Sequence, residues 1–308
     1  MTASVEVEPT DTHAPATHVP AERRAFGPGT RTWEETGLIT FSLTAGSAFL
    51  LQTMEPTISA VVDAHSTFRT DPIGRALRSL SAVMMWTYTG DESLGETDRL
   101  RTMHATLNTT DANGVRHTAL SSGPWAWVLH TGTFAFAENA KYFSKRPLTT
   151  DEKEDYYREA LQLLRNFSVP PKEMPATYAD FEKFFADQVE NHLQATQTSK
   201  DYLKVIRTIA PPKKLPRAMR PLWRAATDPV GRMQYFVTVG TTPEAARRKL
   251  GLTWTESDER KLRVLGWFLA RLVPLLPERL RYFPIAYEAR KLERDKARLR
   301  KVIDTRPL

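Results

Sequence analysis

The chain has 308 residues, no cysteine, 43 Lys+Arg against 36 Asp+Glu, and a net charge of +7. The absence of cysteine excludes a disulfide scaffold, Cys-ligated zinc, iron–sulfur clusters, thiolate-bound haem and a cysteine nucleophile, and it fits a reducing, cytoplasmic setting. Ten basic and four acidic residues fall between Arg279 and Leu308, so the positive excess sits almost wholly at the C-terminal end.

Residues 1–30 carry Pro9, Pro15, Pro20 and Pro28 with Glu6, Glu8 and Asp11 and no apolar core. They read as a disordered leader without a secretion signal, ahead of one domain over 31–308. Gly37–Val62 is the most apolar stretch, with Glu55 as its one formal charge. Eight Ser, Thr or Gln residues and Pro56 interrupt it, which predicts a buried helix and not a membrane span. Pro72 opens a helix over Ile73–Thr89, and Asp91 or Ser93 opens the next through Leu107. Asn113-Gly114 predicts a small hairpin near 108–120. Trp125–Phe143 is again helical. Thr149 and Glu152 form a capping box for a helix through Phe167, closed by Val169-Pro170-Pro171. Further helices are expected over 177–195, 200–209, 216–226, 242–250, 256–272 and 282–302. Strand-like alternation is nearly absent, so the fold class is all-α: a single globular domain of about ten helices.

No Gly-rich phosphate loop, nucleophile elbow or H-E-x-x-H motif occurs. None of the seven histidines has Glu three residues before it, which excludes the paired E-x-x-H motifs of a di-iron bundle. His65, His104 and His130 each lie in a mostly apolar helical run. Each reads as a hydrogen-bonded core residue or as a ligand, and Arg101-x-x-His104 is the more suggestive because residues at i,i+3 share a helix face. Arg75 and Arg78 are spaced in the same way and can serve a solvated face or a shared anionic group. Glu55, if buried, must be paired or have its pKa raised, although Pro56 beside it also suits a helix terminus. The basic C-terminal helix reads as a solvated helix with internal ion pairs, or as a weak contact for an anionic membrane. No aromatic-interleaved basic motif speaks for nucleic acid.

Five blocks in register resemble the haem-dependent oxygenase family of the latex-clearing protein (rubber oxygenase) and the mycophenolic-acid-pathway oxygenase, in the manner of a bacterial member without a secretion signal. They are Met54-Glu55-Pro56 through Asp63-Ala64-His65 to Arg75; Arg101-Thr102-Met103-His104-Ala105; Trp125 to Thr133; Val169-Pro170-Pro171 with Met174-Pro175-Ala176-Thr177; and Arg247 to Trp254. The resemblance implies a b-type haem pocket, with His104 as axial iron ligand and Arg101, His65 and His130 as cofactor-binding candidates. It further implies a distal segment at Arg75-Ala76-Leu77-Arg78-Ser79, with Arg75, Arg78, Ser79 and Glu55 as catalytic candidates.

Three positions depart from the family pattern. Arg78 stands where rubber oxygenases have a Lys that caps the iron, and Arg stays protonated. Asn108-Thr109 replaces an Arg-His pair, and Glu55-Pro56 replaces a His-Pro step. With the missing secretion signal, these point away from polyisoprene. The implied function is oxidation of an apolar small molecule (an isoprenoid, lipid or polyketide) by dioxygen, with haem b as cofactor. A redox-neutral haem enzyme and a non-catalytic haem- or ligand-binding protein are the alternatives.

Overall fold

The computed structural model describes residues 22–212 and 215–305. Its helices are α1 (Arg31–Glu35), α2 (Phe41–Met54), α3 (Pro56–His65), α4 (Pro72–Tyr88), α5 (Glu92–Ala105), α6 (Ser122–Phe143) and α7 (Thr150–Asn166), then α8 (Tyr178–Asp187), α9 (Gln197–Arg207), α10 (Arg220–Thr241), α11 (Glu244–Leu250), α12 (Glu256–Leu272), α13 (Glu278–Arg281) and α14 (Pro284–Thr305). Between α5 and α6 runs an antiparallel hairpin of β1 (Asn108–Thr110) and β2 (Arg116–Thr118), with Thr109 opposite His117. Among the described residues the chain is all-α but for this hairpin, as expected. Of the expected leader, residues 1–21 lie outside the described residues. Residues 22–30 run along α5 and α7, where Phe26 is buried, Arg23 pairs with Asp98 and Arg24 N–H donates to Asn166.

The apolar stretch 37–62 divides at Glu55, whose backbone is extended (φ −78°, ψ 126°) because proline disfavours a helical residue before it. Pro56 then occupies the first turn of α3, where a missing N–H costs nothing, and the Glu55 carboxylate caps the turn by accepting from Ile58 N at 2.6 Å. α2 lies at the centre of the molecule against α6, with Leu50, Leu51 and Met54 fully buried. Its buried hydroxyls return to their own helix: Ser47 donates to Thr44 O and Thr53 to Leu50 O, both at 2.8 Å. That satisfaction lets a polar-punctuated segment sit in the core. No helix among the described residues is long and apolar enough to cross a membrane.

Two expected boundaries differ. The helix expected over 177–195 ends at Asp187 in a wide turn. Gln194 N then donates to Met54 O (2.8 Å) and Thr196 Oγ1 to Thr53 O (2.6 Å). Those bonds to the end of α2 draw the chain out of helix. The helix expected to stop at Ala226 instead runs to Thr241 through Pro229. The packing of Val237 and Thr238, both fully buried, outweighs the one backbone bond that proline removes.

Candidate active site

α4 and α5 pack side by side, and the charge of Arg75 on α4 is near enough to act on the His104 imidazole of α5. α4 begins where Asp71 accepts from Gly74 N (3.0 Å) and Pro72 fills the first turn, so Arg75 emerges one turn into the helix. Its guanidinium bonds Ser79 Oγ one turn later and lies 5.8 Å from the Phe49 ring centroid. Burial, and then the neighbouring Arg78, lower its pKa from the ordinary value, yet an arginine stays protonated.

His104 sits in the last turn of α5. Its Nδ1 is 2.7 Å from Leu100 O. A carbonyl only accepts, so Nδ1 carries the proton and Nε2 presents its lone pair. Nε2 has no hydrogen-bond partner among the described residues. Burial pulls the imidazole pKa below its usual value, against the bond to Leu100, and the positive Arg75 acts in the same direction. At neutral pH the ring is therefore neutral. Trp125 of α6 stands against it, centroids 5.2 Å apart, and is itself held by Nε1–H donating to Phe167 O at 3.1 Å. Arg101, one turn before His104, makes only long contacts of 3.4 Å to Phe167 O and Ser168 O. Its guanidinium has no carboxylate partner among the described residues.

Other expected residues stand elsewhere. Arg78 is exposed and bonds Asp71 and Thr67, bracing the start of α4. Glu55 caps α3; burial raises its pKa, opposed by the Ile58 and Thr57 N–H groups and by His117 across on β2. His65 is exposed, with Nε2 2.9 Å from Asn108 O on β1. His130 is fully buried on α6, its Nε2 2.8 Å from Glu173 O and its ring centroid 5.0 and 5.7 Å from those of Phe184 and Phe181. Among the described residues no hydrogen bond joins Glu55, His65 or His130 to Arg75 or His104. Phe49 of α2, which sequence reasoning did not single out, enters because its ring lies 5.8 Å from the Arg75 guanidinium. Nothing in the local pattern of an apolar helix marks which of its rings meets an arginine.

Among the described residues no three His, Asp or Glu side chains cluster as a metal-binding group. The donor set at the α4–α5 seam is one neutral imidazole with a free nitrogen, a confined cation and aromatic walls. A family profile described as "ER-bound oxygenase mpaB/B'/Rubber oxygenase, catalytic domain" matches residues 33–271. No curated protein and no solved structure gives a match.

Proposed function

The chain belongs to the mpaB/rubber oxygenase catalytic-domain family, and from that premise we propose that it is a haem b-dependent oxygenase acting on an apolar small molecule. Membership makes it an oxygenase-type enzyme. The observation that carries the finer reading is His104. Its proton is committed to Leu100 O, its Nε2 is free, and its charge is suppressed by burial. A single imidazole of this kind would hold the iron of a haem group through its Nε2. When bound, haem b supplies the redox chemistry with dioxygen.

The chain's own residues then have definite tasks. Leu100 O fixes the tautomer and ring plane of His104, as outer partners of metal-binding histidines do. Arg75, kept in place by Ser79, offers N–H donors and a fixed positive charge that acts on the imidazole. Fixed donors in a confined site stabilise negative charge that develops on a reacting group without waiting for water to reorient. Arg101 is the guanidinium free to pair with a carboxylate at the seam. Trp125 and Phe49 exclude water and offer apolar surface to a lipid-, isoprenoid- or polyketide-like substrate.

The test is the absorption spectrum of protein produced with ample haem. Wild type and His130→Ala are expected to show a Soret band in the range of roughly 400–415 nm. His104→Ala is expected to lose it. A band that survives in His104→Ala, or vanishes only in His130→Ala, sinks the assignment. Substrate-dependent oxygen uptake, measured on the coloured protein, separates the oxygenase from a redox-neutral haem enzyme.

A further inference from the structure

We propose that the outward face of α12, with the turn that follows it, docks onto an anionic lipid bilayer. This inference stands apart from the haem reading, because it uses no residue of the α4–α5 seam. Arg260, Lys261, Val264, Trp267 and Phe268 line a shallow surface groove, at spacings that place them on one side of the helix. Val264 is 67% exposed, Trp267 57% and Phe268 53%, and Leu275 in the following turn is 79% exposed. Two adjacent large aromatic rings and a valine held in water form an apolar patch of the kind that marks an interaction site.

Charge identifies the occupant. Arg260 and Arg271 have no carboxylate partner among the described residues, and Lys261 pairs only with Asp258 of its own helix. The Arg271 guanidinium lies 4.1 Å from the Trp267 ring centroid and donates to Trp267 O at 3.2 Å. Cation and indole thus sit at one level, the arrangement that suits the boundary between acyl chains and phosphates. A second copy of this face, related by a two-fold axis, would bring the same cations against one another. An anionic bilayer satisfies both halves, since the rings enter the interface while the cations meet lipid phosphates. On the more basic α14, Lys291, Arg300 and Lys301 are without a carboxylate partner among the described residues, while Arg290, Arg294, Lys296 and Arg298 pair with Glu or Asp. Its exposed apolar side chains are all aliphatic, so it offers no ring to seat at the boundary and is the weaker candidate.

The experiment is co-sedimentation of the full chain with vesicles of phosphatidylcholine, with or without phosphatidylglycerol. Binding is expected on the anionic vesicles and is expected to weaken with added salt. Joint substitution Trp267→Ser and Phe268→Ser should lower the partition coefficient roughly tenfold or more. Arg260→Gln with Arg271→Gln should weaken binding to anionic vesicles alone, and Arg298→Gln with Arg300→Gln should leave it unchanged. These side chains are exposed, and circular dichroism verifies that each variant is folded. Three results would overturn the proposal: no sedimentation of wild type, loss only in the α14 variant, or a wild-type dimer that the serine variant converts to monomer without any vesicle binding. The last would assign the face to a second copy.

Discussion

Two histidines of similar sequence context, His104 half-buried and His130 fully buried, differ in which ring nitrogen is left over. At His104 the leftover Nε2 belongs to a half-buried ring at a helix seam; at His130 the leftover Nδ1 is enclosed and unpartnered. His130 therefore reads as a core residue that satisfies Glu173 O and packs between phenylalanines. Burial lowers the pKa of both rings. The unfolded chain thus binds more protons below the ordinary imidazole value of 6.5, so stability contributed by the neutral rings is full above that value and declines as pH falls through it. His130→Gln, which keeps a donor but cannot titrate, should flatten this acid limb in chemical denaturation measured across pH. A limb of unchanged slope would show that His130 does not carry it. Sequence singled out both residues and already favoured His104, through Arg101-x-x-His104 and the family resemblance. Their distinction depends on carbonyls four residues away in one case and forty-three in the other.

At the level of helices, glycine positions separate intrinsic propensity from packing. A side chain at Gly266 on α12 would run into the Tyr142 backbone carbonyl of α6, whereas Gly132 in the middle of α6 has open space around it. Propensity by itself predicts a gain approaching ~1 kcal/mol for Gly→Ala in a helix interior. We expect Gly132→Ala to realise part of that gain and Gly266→Ala to be destabilising instead, both read as shifts in denaturation midpoint. If both stabilise, the close α6–α12 approach is not a constraint. Helix starts were legible wherever local chemistry dictates them: Thr149 and Glu152 exchange their bonds as the capping box requires, and Pro56 and Pro72 sit in first turns. Helix ends were less so. Pro229 is a local stop signal that tertiary burial overrides, and the break after α8 comes from hydrogen bonds to α2, far away in sequence.

For the molecule as a whole, Arg290 is the clasp that fastens α14 to the body. Its guanidinium lies 4.4 Å from the Tyr282 ring centroid and 5.1 Å from that of Trp33, and it bonds Glu34 (2.6 Å) and Glu278 (3.1 Å). A lysine cannot reproduce that planar, stacked and forked arrangement. Arg290→Lys is expected to lose on the order of 1–3 kcal/mol and to raise hydrogen exchange over 284–305, while Arg298→Lys changes neither. Equal effects from the two would reject the clasp. The all-α class, the hairpin, most helix starts and the residues of the α4–α5 seam were all determined by the amino-acid order, because capping, helical periodicity and short motifs act over a few positions. Which arginine's charge reaches His104, which imidazole keeps a free nitrogen, and which apolar face stays in water were decided by the tertiary structure alone. Each depends on a contact between segments that meet only when α2, α6 and their neighbours close around a common core.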